Sequence, residues 1–519
     1  MKRSILNPAI LFLSGWAVLP ALAQNQMGVS TNNAAAPDPA TNCTAADKLS
    51  ATPSPFDQWI KQVKHPADWF AWGADVRLRN EYVNNAATLN GNAALHEQDY
   101  FRFRERIWTS FLPVTNVSVN ARLTGEQRDW MTTANAGQYG ARTGFEERYG
   151  IVDNANLKWS EILDQPLTVT AGRQDIALGD PDDWWLVMDG TPGDGSWTTF
   201  FDSVRTTYEL KGIQTKLDLI GIHQSAMPDE FIPTLGDSGD NRLPSGTAKP
   251  YYLTEQNEQG FIAYLSNQSV EDMQIDGYFI YKGDQRTHTD LIKNGDNADI
   301  FTIGSKITGT PAEHWSYSVE GAYQFGSKQD PKVQEIYENS SSDWRTISAY
   351  AGKFRLNYLF KDPLKNQLSL VGEFLSGDDP NTKGTDEMFD VLWGRYPRWT
   401  ELGTWTYATE TGGRSFQMNN LFRVGPSWSF VPMKDMTFNV MYNALFAPEA
   451  IPTRDTTTAT TEQFSRDGNF RGHFLQSTLK YQFTPHVSAL IKGELLCEGD
   501  YYAQQDLVSF IRTEISITF

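Results

Sequence analysis

The chain has 519 residues, a formal net charge of −19 at pH 7 and a mean hydropathy of −0.47. Its acidity argues against a nucleic-acid partner, because surfaces that bind nucleic acid are basic. Beyond the first residues, no stretch approaches the roughly 20 consecutive apolar residues of a membrane-spanning helix. The composition suits either a soluble protein or a membrane β-barrel, in which half of every strand faces water.

Residues 1–23 have the pattern of a secretory signal peptide. Lys2 and Arg3 give a positive start, residues 10–19 form an apolar core, and a small-residue site ends at Ala23. The apolar core is too short to span a membrane comfortably. We therefore expect cleavage near Ala23 and delivery of the mature chain to the cell outer membrane.

Residues 24–70 read as a flexible periplasmic leader, because they are rich in small and polar residues. A short helix is predicted over 55–65, with Pro55 at its first position. Its apolar face would comprise Phe56, Trp59, Ile60 and Val63. Such a helix either braces the periplasmic mouth of a barrel or docks loosely at its end.

From residue 71 to residue 519, segments of about ten residues alternate between apolar and polar side chains, as in a transmembrane barrel. The last segment has an apolar face, carries Arg512 and Glu514 on the other face, and ends at Phe519. The predicted strands are 71–82, 99–112, 116–130, 146–159, 166–176, 199–210, 212–224, 258–267, 272–283, 299–308, 314–326, 345–360, 366–376, 413–425, 435–447, 472–484, 486–498 and 507–519. We therefore expect an all-β fold, a transmembrane antiparallel barrel of about 18 strands.

The connections are of two kinds, tight turns and long loops, as expected for short periplasmic turns and long extracellular loops. Tight turns are predicted at 113–116, 211–212, 267–272, 361–366 and 484–486. Long loops are predicted at 83–98, 177–198, 225–257, 327–344, 377–412 and 448–471. The loop from Asp180 to Trp197 contains three tryptophans, and we expect it to fold over or into the mouth.

The polar faces of the predicted strands carry more bases than acids, whereas acids concentrate in the loops. Rings of Arg and Lys select anions in pores, and the guanidinium fork matches a carboxylate. Alternatively, these bases only pair with acids across the strands and fill the barrel. The candidate binding residues in strand interiors are Arg77, Arg104, Arg106, Arg122, Arg205, Lys353, Arg355, Lys492 and Arg512.

Seven stretches resemble the alginate export porin family of outer-membrane barrels. They are Gly172–Asp175, Leu178–Asp180, Trp184–Trp185, Asp189–Pro192, Phe200–Arg205, Gly372–Asp378 and Phe389–Trp399. The resemblance implies an eighteen-stranded barrel with an electropositive constriction, and type members that export the polyuronate alginate. It also implies that arginines on early strands line the constriction, a role that Arg77, Arg104, Arg106, Arg122 and Arg205 would fill.

The predicted function is therefore an outer-membrane porin with a basic lumen, which passes an alginate-like polyuronate or its oligomers by passive diffusion. The alternatives are a less selective general porin and an outer-membrane barrel enzyme. No catalytic residue, metal site or cofactor is predicted, because the seven histidines lack a nucleophile at a motif spacing. Expected partners are the anionic polysaccharide, outer-membrane lipid and lipopolysaccharide, and periplasmic secretion or polymer-processing proteins.

Overall fold

The computed structural model describes most of the chain after residue 54. The described residues are 55–93, 96–131, 144–178, 199–227, 231–233, 253–254, 256–286, 297–329, 344–394, 399–410, 418–450 and 463–519. The predicted signal peptide, most of the predicted leader and the predicted mouth loop from Asp180 to Trp197 lie outside them.

Strands dominate the described residues, with two α-helices, α1 (Pro55–Lys64) and α2 (Leu402–Glu410). The strands are β1 Phe70–Asn84, β2 Glu97–Val114, β3 Val117–Trp130, β4 Gly144–Trp159, β5 Leu167–Gln174, β6 Phe201–Leu210, β7 Thr215–Gln224, β8 Gln256–Asn267, β9 Met273–Arg286, β10 Asn297–Ala312, β11 Trp315–Gln329, β12 Arg345–Leu359, β13 Gln367–Leu375, β14 Thr385–Asp386, β15 Leu421–Phe430, β16 Met436–Phe446, β17 Phe470–Thr484, β18 Val487–Glu498 and β19 Leu507–Thr518. In the described part of the chain, no helix combines the length and apolarity needed to cross a bilayer.

All strands except β14 form one closed antiparallel barrel of 18 strands, which confirms the predicted fold class. The first and last strands close it, with Val76 opposite Ile517 and Glu81 opposite Arg512. Closure leaves no sheet edge with unpaired backbone groups, which a bilayer would not tolerate. The two-residue strand β14 pairs in parallel with β12 and belongs to a loop.

Alternation along each strand separates an apolar outer face from a polar inner face. On β1, Val76 and Leu78 are exposed on the outside, whereas Arg77 and Arg79 are buried inside the barrel. The same pattern holds on β19, where Ile515 is exposed. The barrel thus presents an apolar surface to lipid and holds its charged side chains in the lumen.

The two ends of the barrel differ in their connections. Tight connections join β2 to β3, β10 to β11 and β17 to β18 at the same end, which also holds the start of β1 and α1. We refer to it as the short-turn end. The opposite, long-loop end holds the connections after β5, β7 and β13. Because such barrels place short turns in the periplasm, the short-turn end is expected to be periplasmic.

One predicted strand is misplaced. Residues 413–425 were expected as a strand, but β15 begins at Leu421 and continues through Pro426 to Phe430. Proline removes a ladder hydrogen bond and so suggests a strand end. Here the pairing of β15 with β16 is interrupted between Val424 and Ser427, while pairing with β13 continues through Pro426. The strand therefore passes the proline without ending.

Candidate permeation path

The nine candidate binding residues all lie on strands whose alternation turns them toward the lumen. They are Arg77 on β1, Arg104 and Arg106 on β2, Arg122 on β3, Arg205 on β6, Lys353 and Arg355 on β12, Lys492 on β18 and Arg512 on β19. Strands β18, β19, β1, β2 and β3 are consecutive neighbours around the barrel. Their six bases therefore share one wall, whereas the bases of β6 and β12 lie on other arcs.

Within this wall, cross-strand register places like charges side by side. Arg77 is directly opposite Arg104, and Lys492 is directly opposite Arg512. Like charges in such positions destabilise a sheet unless acids lie between them. Two buried arginines outside the candidate set, Arg79 and Arg102, extend the cluster.

Glu81 is the acid at the centre of this cluster. Its carboxylate lies 2.6 Å from Nη2 of Arg512 and 3.3 Å from Nη1 of Arg102. Arg102 is also bound to Glu126, and Arg79 lies 2.5 Å from Glu514. These acids compensate the buried guanidinium groups and hold them in fixed directions.

The long connection between β13 and β15 crosses the lumen. Trp393 is fully buried and donates a hydrogen bond to Glu258 of β8, at 3.0 Å. Farther along, the backbone N–H groups of Glu401 and Leu402 donate to Glu494 of β18, at 2.8 and 2.9 Å. We call this connection the lumen loop (residues 376–420). Because β8 and β18 lie on opposite sides of the barrel, its described residues obstruct the interior.

Both ends of α2 in the lumen loop are bound to barrel strands, the N-terminus to β18 and the C-terminus to β17. Glu494 accepts hydrogen bonds at the helix N-terminus, where the helix dipole favours an anion. At the C-terminus, Glu410 forms a bidentate pair with Arg471, at 2.7 and 2.9 Å. Burial raises the pKa of Tyr501 well above its usual range, so its hydroxyl stays protonated and donates to Glu410. These contacts fix α2 as part of the pore wall.

Two of the candidate bases take part in this attachment. Arg512 Nη1 lies 2.9 Å from Glu401 Oε1, and Lys492 Nζ lies 3.7 Å from the same atom. Lys492 also lies 3.3 Å from Glu494. Arg512 and Lys492 therefore pair with Glu401 of the lumen loop, and Lys492 also pairs with Glu494 of β18, which holds the loop.

From the sequence, the acids of residues 377–412 were expected in a long loop outside the barrel, yet three of them lie inside it. Asp378, Asp386 and Asp390 are buried against bases of β12, β11 and β9, respectively. The pairs are Arg345 with Asp378 at 2.5 Å, Lys328 with Asp386 at 3.7 Å and Lys282 with Asp390 at 3.9 Å. Burial and the neighbouring Asp386 raise the pKa of Asp378. The described buried residues include 16 acids and 15 bases, and because all 15 bases but not all of the acids lie on barrel strands, the acids of the connection between β13 and β15 offset the excess of bases on the strands.

Along the arc from β2 to β7, the charged lumen side chains that are at least partly exposed in the short-turn half are nevertheless mainly bases. The Arg205 side chain is 22% exposed, whereas its partner Asp218, 2.9 Å away, is 3% exposed. Arg122 is 14% exposed, and its partner Asp153 is completely buried. The exposed or partly exposed bases of this arc are Arg106, Arg122, Lys158, Arg205 and Lys216, and its exposed or partly exposed acids include Asp175 and Glu209. We call this set of bases the basic arc.

Neutral polar side chains lie beside the basic arc. Ser110 donates to Asn120 at 2.9 Å, and Asn120 donates to Asn156 at 3.0 Å. This row crosses β2, β3 and β4 and offers both donors and acceptors to a hydroxyl-rich solute. Together with the basic arc, it provides groups suited to an anionic sugar.

Gly260 makes room for the lumen loop, because a side chain there would meet the Trp393 ring at 2.3 Å. We expect Gly260→Leu to displace Trp393 at a cost of about 1–3 kcal/mol, as in other overpacked sites. Chymotrypsin should then cleave the folded barrel faster at Trp393. Gly277→Leu is the control, because that position on β9 has open space around it. Equal cleavage of both variants would contradict this role of Trp393.

Among the described residues, no group of three or more His, Cys, Asp or Glu side chains is arranged to hold a metal ion.

Comparisons with known proteins concern both sequence and fold. The sequence model of the family described as alginate export matches residues 248–512. No curated protein sequence matches the chain.

Among solved structures, OccAB1 of Acinetobacter baumannii has 10% identity and a TM-score of 0.50, over 86% of this chain and 96% of that one. OccK2 (OpdF) of Pseudomonas aeruginosa in complex with glucuronate has 9% identity and a TM-score of 0.48, over 87% and 98%. OccK8 (OprE) of the same organism has 11% identity and a TM-score of 0.47, over 86% and 98%. At this identity, the likeness concerns the fold.

Proposed function

The chain belongs to the alginate export family of outer-membrane porins, and we propose that it passes an alginate-like polyuronate, or its oligomers, by passive diffusion. The protein is accordingly a transporter of the outer membrane rather than an enzyme. The direction of flux would follow the concentration gradient of the solute. Periplasmic secretion or polymer-processing proteins would supply or consume it.

The observation that supports an anionic solute is the exposure of Arg122 and Arg205 above the buried acids Asp153 and Asp218, although Asp175, a second partner of Arg122, is 35% exposed. A solute entering from the short-turn end meets the guanidinium groups of Arg122 and Arg205, while Asp153 and Asp218 lie behind them. Each buried acid orients its arginine and leaves part of the fork accessible. A carboxylate can therefore bind at the exposed part and move on, since the acid behind weakens the attraction.

The second candidate is a less selective general porin, and it rests on a specific observation. Arg106, Arg122 and Arg205 each lie within 3 Å of a carboxylate, so much of their charge is compensated. If the nearby carboxylates cancel most of the field of these arginines, the pore would discriminate between solutes by size more than by the sign of their charge. The two candidates therefore differ in the ion preference they predict.

Planar-bilayer recordings across a KCl gradient test the proposal. We expect a reversal potential that indicates preference for chloride, and a smaller preference as salt rises, because the screening length falls from about 30 Å at 0.01 M to about 3 Å at 1 M. Added uronate oligomers should interrupt the current, whereas neutral oligosaccharides of equal length should do so less. A preference for potassium, or equal effects of both sugars, would contradict the proposal.

A further inference from the structure

Helix α1 has an amphipathic sequence but leaves most of its apolar face uncovered. Phe56 is 55% exposed, Trp59 54% and Val63 36%, and only Ile60 is buried. An amphipathic helix of a soluble domain would turn this face toward the core. The predicted role of a brace does not explain why more than half of the Phe56 and Trp59 surface stays uncovered.

The contacts of α1 show how it lies on the barrel. Near its start, Asp57 Oδ1 lies 3.0 Å from His486 Nε2, in the turn between β17 and β18. Near its end, the Val63 carbonyl accepts a hydrogen bond from Trp72 Nε1 of β1, at 2.8 Å. The helix therefore extends from β18 past β19 to β1.

These anchor points determine the direction of the helix. Its 10 residues span about 15 Å. Two spacings between neighbouring strands amount to about 10 Å. The helix thus follows the rim of the barrel, in the plane of the membrane.

The anchor at β1 also shows which side of the rim α1 occupies. Gly73, Asp75 and Arg77 turn inward, so Trp72 belongs to the outer face, and Val63 contacts its indole there. Next to it, exposed Trp69 packs edge-on against Phe111 of the outer face, with ring centroids 5.6 Å apart. The exposed face of α1 is thus continuous with the lipid-facing surface.

An aromatic belt surrounds the barrel at the same height. Its exposed outer-face members, each at the short-turn end of its strand, are Phe111, Trp159, Trp315, Trp428 and Phe483. Aromatic rings concentrate where acyl chains meet headgroups. Exposed Lys61, on the polar side of α1, is suited to lipid phosphate.

We propose that α1 is an in-plane anchor that inserts Phe56, Trp59 and Val63 into the headgroup–acyl boundary of the leaflet at the short-turn end. The anchor extends the lipid contact of β18, β19 and β1, where the barrel closes. The inference rests on the placement of the barrel in a membrane and is independent of the transported solute.

Spin-label depth measurements test this anchor. The full chain, with Cys43→Ser and Cys497→Ser, would carry a nitroxide at Trp59→Cys or Val63→Cys, and at Gln58→Cys as the matched control on the polar side of the helix. Each protein is folded into vesicles of phosphatidylethanolamine and phosphatidylglycerol. Heat-modifiable migration checks that the barrel has formed.

We expect labels at 59 and 63 to collide more often with oxygen, which partitions into lipid, and the label at 58 to collide more often with a water-soluble nickel chelate. Equal access of the nickel chelate to 58 and 59 would place α1 in water and overturn the proposal. Exclusion of both reagents from 59 would indicate a second copy or another protein on this face, and would also overturn it.

Discussion

Replacing Arg106, Arg122 and Arg205 together by glutamine is expected to abolish the preference for anions and to turn it toward cations. The three side chains supply exposed positive charge on the basic arc, while their partners Asp153 and Asp218 remain charged after the change. Uncompensated carboxylates attract cations into a pore. The measurement is the reversal potential across a KCl gradient at low salt, where screening is weakest.

The control for this experiment removes equal numbers of charges of both signs. It combines the three glutamine substitutions with Asp75→Asn, Asp153→Asn and Asp218→Asn, because each of these acids is a partner of one of the three arginines; Asp175, the second partner of Arg122, is kept. This control should approach a non-selective pore without becoming cation-selective. If the triple variant kept the full anion preference of the native protein, the basic arc would not be the selective element.

The barrel itself could be predicted because its signal is local and repeated. A strand that faces lipid on one side and water on the other must alternate, and Trp315 to Phe325 does so, as does Met436 to Phe446 except at Met441 and Leu445. Closure follows from the same pattern, since the terminal segment matches the others and must pair with β1. The inward direction of each candidate base could therefore be predicted from its position in the alternation of its strand.

Strand alternation could not predict the lumen loop. Alternation states which face a side chain takes within a strand, but it does not state which loop enters the barrel. Trp393 packs over Gly260, and no sequence pattern predicts that these two residues are in contact. Helix α2 shows no clear apolar stripe in its sequence, yet Leu402, Trp405 and Tyr407 are buried in one hydrophobic cluster inside the barrel.

The distribution of charge could be predicted only in part for the same reason. Bases were visible as inward positions on strands, whereas several of their acid partners reside on the lumen loop. Glu401 reaches Arg512, and Glu410 reaches Arg471, over long separations in sequence. Charge selectivity thus depends on what remains exposed after pairing, which is a property of the folded chain.

Removing the lumen loop is expected to raise single-channel conductance severalfold. Leu375 of β13 is directly opposite Leu421 of β15, so a short Gly-Asn turn can replace residues 376–420 without separating the two strands. The deletion opens the space now crossed between β8 and β18. It also removes Asp378, Asp386, Asp390, Glu401 and Glu410, which leaves bases of β9, β11, β12, β17 and β19 without these partners.

Conductance and selectivity should therefore change together in this deletion, with a larger current and a stronger preference for anions. Glu401→Gln provides the matched control, because it keeps the bulk of the loop and removes only the carboxylate shared by Arg512 and Lys492. That variant should strengthen anion preference slightly and leave conductance nearly unchanged.

A deletion that folds, as judged by heat-modifiable migration, and conducts like the native protein would mean that ions already bypass the loop. A deletion with larger current but no gain in anion preference would mean that the released wall bases do not face the path.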